Sequence, residues 1–285
     1  MSTIAVIGSG IGGLGAAWSL SRDHQVTVYE ADDRLGGHAN TIEVEDPRGP
    51  IAVDTGFIVY NEANYPNLVQ LFSHLGVATE PSDMAFSVSL SSGAFEYQAR
   101  ASGLLAQPSN LVRPGYVRMI ADIMRFAREA PSSRPGGDVT TREFLDGGGY
   151  SEAFRRDFLL PVLACIWSSS LEAMLESPAS SMIGFLDNHG LLDVLRRPRW
   201  RTVTGGSREY VRWLSAPIRD AARVATPVVA VMRDDDGARV IDARGGVDRF
   251  DHVVMATHAD TSLRILGDDA SERERRILST FRYER

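Results

Sequence analysis

Lysine is absent from the chain: all 30 basic residues are arginine. Chemistry that runs through an ε-amino group is therefore excluded within these 285 residues. Cysteine is nearly as scarce. The single Cys165 cannot form an internal disulfide, so nothing calls for an oxidising compartment. Its place beside the apolar run 158–164 predicts a small core residue. Long hydrophobic runs are also missing: the longest fall short of the ~18 residues of a membrane span and contain Pro161. No basic n-region precedes the first apolar segment, so no secretory signal is read and the expected location is the cytoplasm. Excess positive charge is lacking too. The net charge is −7 and no basic run interleaves with aromatics, which argues against a nucleic-acid partner. With 44% hydrophobic residues, the chain has material for one large domain or two intertwined ones.

What is present is concentrated at the start. Ile4-Ala5-Val6-Ile7 suits a strand buried on both faces, and the Ala/Leu-rich residues 14–21 suit a helix packed against it. Between them lies Gly8-Ser9-Gly10-Ile11-Gly12-Gly13. In that turn Gly8 allows the sharp reversal, Gly10 admits a pyrophosphate to the backbone, and Gly13 lets helix and strand touch. The helix N-terminus offers free N–H groups and partial positive charge. A second strand, residues 26–29, ends on Glu30, about 20 residues on, where a carboxylate takes the ribose hydroxyls of an adenosine.

The next residues are Ala31-Asp32-Asp33-Arg34-Leu35-Gly36-Gly37. With Glu30 they make E-x-x-x-R-x-G-G, which resembles the FAD-binding start of the flavin-containing amine oxidase and phytoene desaturase superfamily. The resemblance implies an α/β fold: a Rossmann-like, GR2-type FAD/NAD(P)-binding domain with an interleaved, largely helical substrate domain. It implies FAD as cofactor, with Gly8, Ser9, Gly10, Ile11, Gly12, Gly13, Glu30, Ala31, Arg34, Gly36 and Gly37 lining it. Gly36-Gly37 brings backbone close to a long ligand, and Arg34 offers a fork of donors to phosphate oxygens. His38 stands where many relatives carry arginine. Asp54-Thr55-Gly56-Phe57 is similar to the D-x-G segment that passes under the flavin ring, which adds Gly56 and Phe57 to the site. Asp54 itself is read as an acceptor that fixes its turn. A third block, Gly205-Gly206-Ser207, a helix over 208–219, a strand over 222–231 and another over 250–257, is similar to the middle FAD segment. In it Val228 meets the adenine through its backbone, and His258 receives no role. Relatives continue to a final G-D-rich segment with no counterpart here, so the chain resembles a C-terminally truncated piece.

The expected division is 1–63 with 200–265 for the cofactor domain, 64–199 for the substrate domain, and 266–285 as the start of a further segment. Within 64–199, residues 86–90 and 95–97 flank Ser91-Ser92-Gly93 as a hairpin. Residues 114–129 read as a helix with Val117, Ile120, Met124 and Ala127 toward the core; a peripheral membrane or lipid contact is the alternative. Residues 130–137 read as a loop, 151–166 and 177–192 as helices, and Ser207 as the N-cap of the helix that follows. Trp167 and His189 are the candidates for a substrate pocket, beside the plainer readings of a buried tryptophan and a hydrogen-bonded structural histidine.

By resemblance the function is FAD-dependent hydride transfer between flavin and a substrate C–H bond of an amine, a polyene or an acyl, lipid-like molecule. His38, the Asn188-His189-Gly190-Leu191 run and the helical insertion look closer to the bacterial NAD/FAD-binding proteins of the superfamily than to monoamine oxidases. A flavin-dependent isomerase or cyclase, or a non-catalytic FAD/NAD-binding module, are the alternatives. The partner is a small molecule; no catalytic residue, metal or oligomeric state is assigned.

Overall fold

The strand Thr3–Ile7 buries all of its last four residues because both faces of its sheet are covered. Ile4 and Val6 pack with Leu14, Ala17, Val26 and Val28, whereas Ala5 and Ile7 pack with Val231, Val240, Phe250 and Ile265. This is why the segment is apolar throughout rather than alternating. In the computed structural model, which describes residues 1–84, 86–90, 92–98, 103–133, 135–192, 198–281 and 283, the strand lies inside a parallel sheet. The order is Ala222–Arg223, Gln25–Tyr29, Thr3–Ile7, His252–Met255. The chain leaves Thr3–Ile7 to one side for its second strand and returns on the other for its last, which makes a topological switch point beside residue 8.

The chain forms two units: Met1–Tyr60 with Tyr65–Pro81 and Arg201–Arg285, and Asn61–Asn64 with Ser82–Trp200. In the first, helix Ile11–Leu20 covers one face of the sheet. An antiparallel sheet of Val228–Asp234, Gly237–Asp242 and Val247–Phe250 covers the other, with helix Ala259–Leu266. The two sheets are tied where Tyr29 donates its hydroxyl to Asp248 (2.7 Å) and Arg223 pairs with the same carboxylate (2.5 Å).

Four sequence expectations change here. The strand over 222–231 is two strands in different sheets. Ala225 sits at φ +48°, followed by Pro227, and this turn carries the chain from one sheet to the other. The strand over 250–257 begins at His252, because Phe250 ends a separate strand that pairs with Gly237–Asp242. The helix over 208–219 ends at Ser215 and tightens into a 3₁₀ segment, Ala216–Ala221, that contains Pro217. Ser207 does not cap it. Its N–H (2.9 Å) and hydroxyl (2.7 Å) donate to Asp54, while Thr41 Oγ accepts from the Arg208 N–H (3.0 Å).

The second unit has a helical core joined by the hairpin Ser87–Leu90 and Phe95–Gln98; Ser91 of its turn lies outside the described residues. Helix Pro114–Ser133 buries Tyr116, Met119, Phe126 and Ala130, while Val117 (50%) and Met124 (54%) are exposed. Of the expected set Ile120 packs against the core, but the face is turned so that Val117 and Met124 point outward. Aromatic partners decide it: Tyr116 meets Phe95 and Tyr97, and Phe126 meets Phe144, Tyr150 and Phe154. Asp122 is buried on that face because Arg118 (3.4 Å), Arg125 (3.1 Å) and the Ser151 N–H (2.9 Å) satisfy it. The helix runs through Pro131 to Ser133, into the expected loop; Ser132 and Ser133 hydroxyls donate to the Glu129 and Ala130 carbonyls.

Residues 152–167 are continuous helix with a π turn at Arg155–Leu159, in which Leu160 N–H reaches the Arg155 carbonyl. Pro161 has no N–H to give Asp157 O four residues back, and the Tyr97 hydroxyl donates to that oxygen (2.6 Å). Cys165 is exposed rather than core, since the inward face of Leu160–Trp167 is carried by Leu160 and Leu163. The expected helix over 177–192 is shorter, Ala179–Asn188, and a separate helix Leu171–Glu176 precedes it, capped by Ser170. Residues 193–197 lie outside the described residues. Among those described, no helix is long and apolar enough to cross a membrane.

Candidate functional site

The glycine turn lies at the carboxyl end of Thr3–Ile7. Gly8 adopts φ +97° and donates its N–H to Tyr29 O (2.8 Å); a Cβ there would stand 2.7 Å from Ala256 O. A Cβ on Gly13 would stand 1.9 Å from Gly8 O, so this glycine is required by the chain's own packing. A Cβ on Gly10 would meet nothing within 4 Å. Gly10 is an N-cap without a side chain, Ile11 and Gly12 are exposed, and the first turn has no acidic residue. The first intrahelical bond runs from Leu14 N–H to Gly10 O (2.9 Å), which leaves the earlier N–H groups directed out of the helix. The open space over Gly10 thus faces several backbone donors.

Glu30 reaches this turn from the second strand. One carboxylate oxygen accepts from the Ser9 N–H (2.8 Å) and hydroxyl (2.5 Å), the other from the Asp32 N–H (2.9 Å). About one of its roughly four lone-pair positions is left for a ligand hydroxyl. Ser9 is fully buried, and Ala31 is exposed next to the carboxylate. The Thr226 N–H donates to Glu30 O (2.8 Å), so the segment entering Val228 runs beside the same residue; Val228 is half-buried at a bulge opposite Asp242.

The double-glycine loop closes over the turn. Gly36 donates to Ser9 O (3.0 Å) at φ +117°, and a Cβ on Gly37 would lie 3.0 Å from Gly10 Cα. Arg34 donates to the Gly37 (3.0 Å) and Ala39 (3.4 Å) carbonyls, so its fork braces this loop. Gly56 is close to protein backbone: a Cβ would stand 2.2 Å from His38 O, which accepts from the Phe57 N–H (2.9 Å). Phe57 packs edge-on to Tyr210 (6.0 Å), whose hydroxyl is pushed up to about 12 by burial and then by Asp54. Residues 8–13, 30–31, 34–37 and 56–57 therefore gather at one end of the parallel sheet. His258, which the sequence left without a role, joins them there by stacking on His38 (6.0 Å). No local signal marks it, since 220 residues separate the two.

In the helical unit, Trp167 and His189 fall on one aromatic row. Phe185 lies between them, tilted against Trp167 (4.7 Å) and stacked on His189 (3.9 Å), and Trp200 continues the row (6.4 Å). Trp167 is exposed, and His189 Nδ1 lies 3.0 Å from Phe185 O. Two cavities of this unit, about 290 and 320 Å³, are lined elsewhere, the first by Leu90, Phe95, Arg113, Tyr116 and Met119 among others, the second by Phe144 and Tyr150 among others.

A family model for flavin-containing amine oxidoreductases matches residues 11–277. Among solved structures, cyclohexylamine oxidase from Brevibacterium oxydans is similar at 20% identity and a TM-score of 0.70, over 98% of this chain and 63% of that one. A fatty acid isomerase from P. acnes that produces CLA is similar at 18% identity and TM-score 0.63, over the same shares. A putative protoporphyrinogen oxidase from Exiguobacterium is similar at 18% identity and TM-score 0.65, over 94% of this chain and 62% of that one. At these identities the likeness shows a shared fold. The chain spans about 63% of the length of the first two.

Proposed function

The chain belongs to the flavin-containing amine oxidoreductase family, and we propose that it is an FAD-dependent oxidoreductase that moves a hydride between a substrate C–H bond and the flavin. The observation that carries this reading is the open, uncapped helix N-terminus at Gly10, set at a switch point of the parallel sheet. These residues fit a dinucleotide cofactor. Gly10 leaves room where Gly8 and Gly13 leave none, and the first-turn N–H groups lack acceptors that a diphosphate would provide.

When bound, FAD supplies the electron-accepting ring. The chain's residues hold and orient it: the Ile11–Gly13 backbone takes the diphosphate, the free position on Glu30 takes an adenosine ribose hydroxyl, and backbone next to Val228 takes the adenine. Arg34 acts by holding the Gly36-Gly37 loop shut, and Asp54 by joining residue 41 to the 207–208 turn. The helical unit is assigned to the substrate, an amine, a polyene or an acyl compound, with the Trp167–Phe185–His189 row as its candidate wall. A second reading, a flavin-dependent isomerisation without net redox change, is favoured by the fold shared with the fatty acid isomerase.

The visible absorbance of the purified protein tests the cofactor. Anaerobic mixing with each substrate class then tests the reaction: bleaching with formation of oxidised product supports hydride transfer, whereas product at the same oxidation level supports isomerisation. A colourless protein that takes up no FAD overturns both.

A further inference from the structure

We infer that His38 and His258 form an imidazole pair that binds the diphosphate of the cofactor; this rests on the FAD reading above. The two rings stand 6.0 Å apart and 22° from parallel, and Tyr283 stacks on His258 at 4.8 Å and 9°. Tyr283 is held in turn, because its hydroxyl accepts the Ala259 N–H (3.0 Å). Three distant parts of the chain thus fix the planes of two exposed imidazoles.

Their position gives the stack a use. The strands Thr3–Ile7 and His252–Met255 are parallel neighbours, with Ile7 opposite Met255, so Gly8 and residues 256–258 leave the sheet at the same end. This is the crevice in which open α/β sheets bind ligands. His38 comes to the same crevice from the double-glycine loop, one residue after Gly37, where an added Cβ would stand 3.0 Å from Gly10 Cα.

The ring nitrogens are also unused. His24 Nδ1 accepts from the Ser2 N–H and His189 Nδ1 contacts Phe185 O, but no ring nitrogen of His38 or His258 has a hydrogen-bond partner among the described residues. The chain has no lysine, and Arg34 is turned to carbonyls of its own loop. Glu30 adds a negative charge beside the turn, where it accepts from the Ser9 N–H. An anionic diphosphate at Gly10 would otherwise meet only the partial charge of the helix end, about +0.5. Two imidazoles with unengaged ring nitrogens supply the missing donors.

The test compares FAD, ADP and adenosine binding to the purified full chain, by flavin fluorescence for FAD and by competition for the other two. His38→Gln and His258→Gln are expected to weaken FAD and ADP about tenfold each, as loss of a charge-assisted bond does. Adenosine, which has no phosphate, is expected to bind within twofold of wild type. His38→Arg is expected to restore FAD affinity, because it returns a cationic donor without the imidazole. Unchanged FAD and ADP binding in both glutamine variants overturns the pair while leaving the FAD reading intact. Equal losses for adenosine also overturn it, by showing a structural role. A wild-type chain that binds neither FAD nor ADP overturns the FAD reading itself, and the pair with it.

Discussion

Gly10→Ala and Gly13→Ala add the same methyl group three residues apart in one turn, with opposite expected consequences. At Gly13 the new Cβ stands 1.9 Å from Gly8 O, 3.0 Å from Gly8 C and 3.1 Å from Ala256 Cβ. The nearest obstacle is backbone, so helix Ile11–Leu20 has to move away from the sheet by roughly 1–1.5 Å and loosen Leu14 and Ala17 in the core. Overpacking of this kind costs about 2–3 kcal/mol, which lowers the melting temperature of a chain this size by roughly 4–12 °C. At Gly10 the Cβ meets nothing within 4 Å, and φ −63°, ψ 179° suits alanine. The weaker N-cap costs about 0.5–1 kcal/mol, and the smaller freedom of the unfolded chain offsets about 0.4–1 kcal/mol. Stability is expected to stay within ~1 kcal/mol of wild type while FAD affinity falls at least tenfold, about 1.4 kcal/mol. Thermal unfolding of the apoprotein and FAD titration read the two quantities separately. Wild-type FAD affinity in Gly10→Ala, or an unshifted melting curve in Gly13→Ala, refutes this division of roles.

Glu30→Ala is expected to weaken FAD by about 1.5–3 kcal/mol through the lost charged acceptor; unchanged FAD content at limiting cofactor would remove Glu30 from the site. Tyr97→Phe strips the Asp157 carbonyl of the hydroxyl that replaces the missing Pro161 N–H, with an expected cost of about 1–3 kcal/mol. A urea midpoint equal to wild type would show that the π turn satisfies this oxygen by itself. Arg233 and Ser271 hold the Glu274 carboxyl down to about 2 by hydrogen bonding, with Arg233 the larger cause. The folded value is depressed, so this stabilisation is present above the ordinary glutamate range and is lost as pH falls through about 2. Arg233→Gln should therefore raise the Glu274 titration seen by NMR and remove part of the acid lability between pH 4.5 and 2.

Much of the cofactor unit was legible because its signals are local. The strand Thr3–Ile7, the glycine turn, Glu30 and the double glycine lie within 37 residues, and each feature answers to a backbone rule that holds regardless of what packs nearby. The hairpin around Gly93 was readable for the same reason. The face of helix Pro114–Ser133 was not. Its apolar residues occupy more than one face, and choosing between Val117/Met124 and Tyr116/Met119/Phe126 requires knowing that Phe95, Tyr97, Phe144 and Tyr150 stand opposite. The exposed Cys165 has the same origin, since an apolar run shows no direction until the helix is docked.

What the sequence by itself determined is the chemistry of the first turn and the family it belongs to, because glycine, proline and capping residues restrict the backbone wherever they occur. The tertiary structure alone decided which glycines serve the fold and which serve a ligand. Gly13 and Gly56 are pressed against Gly8 O and His38 O, while Gly10 faces open space, and a motif of identical residues carries no such distinction. It also decided that Arg34 braces a loop and that His38, His258 and Tyr283 share one stack. Those contacts join residues up to 220 positions apart, and only packing of the parallel strands brings their carboxyl ends together.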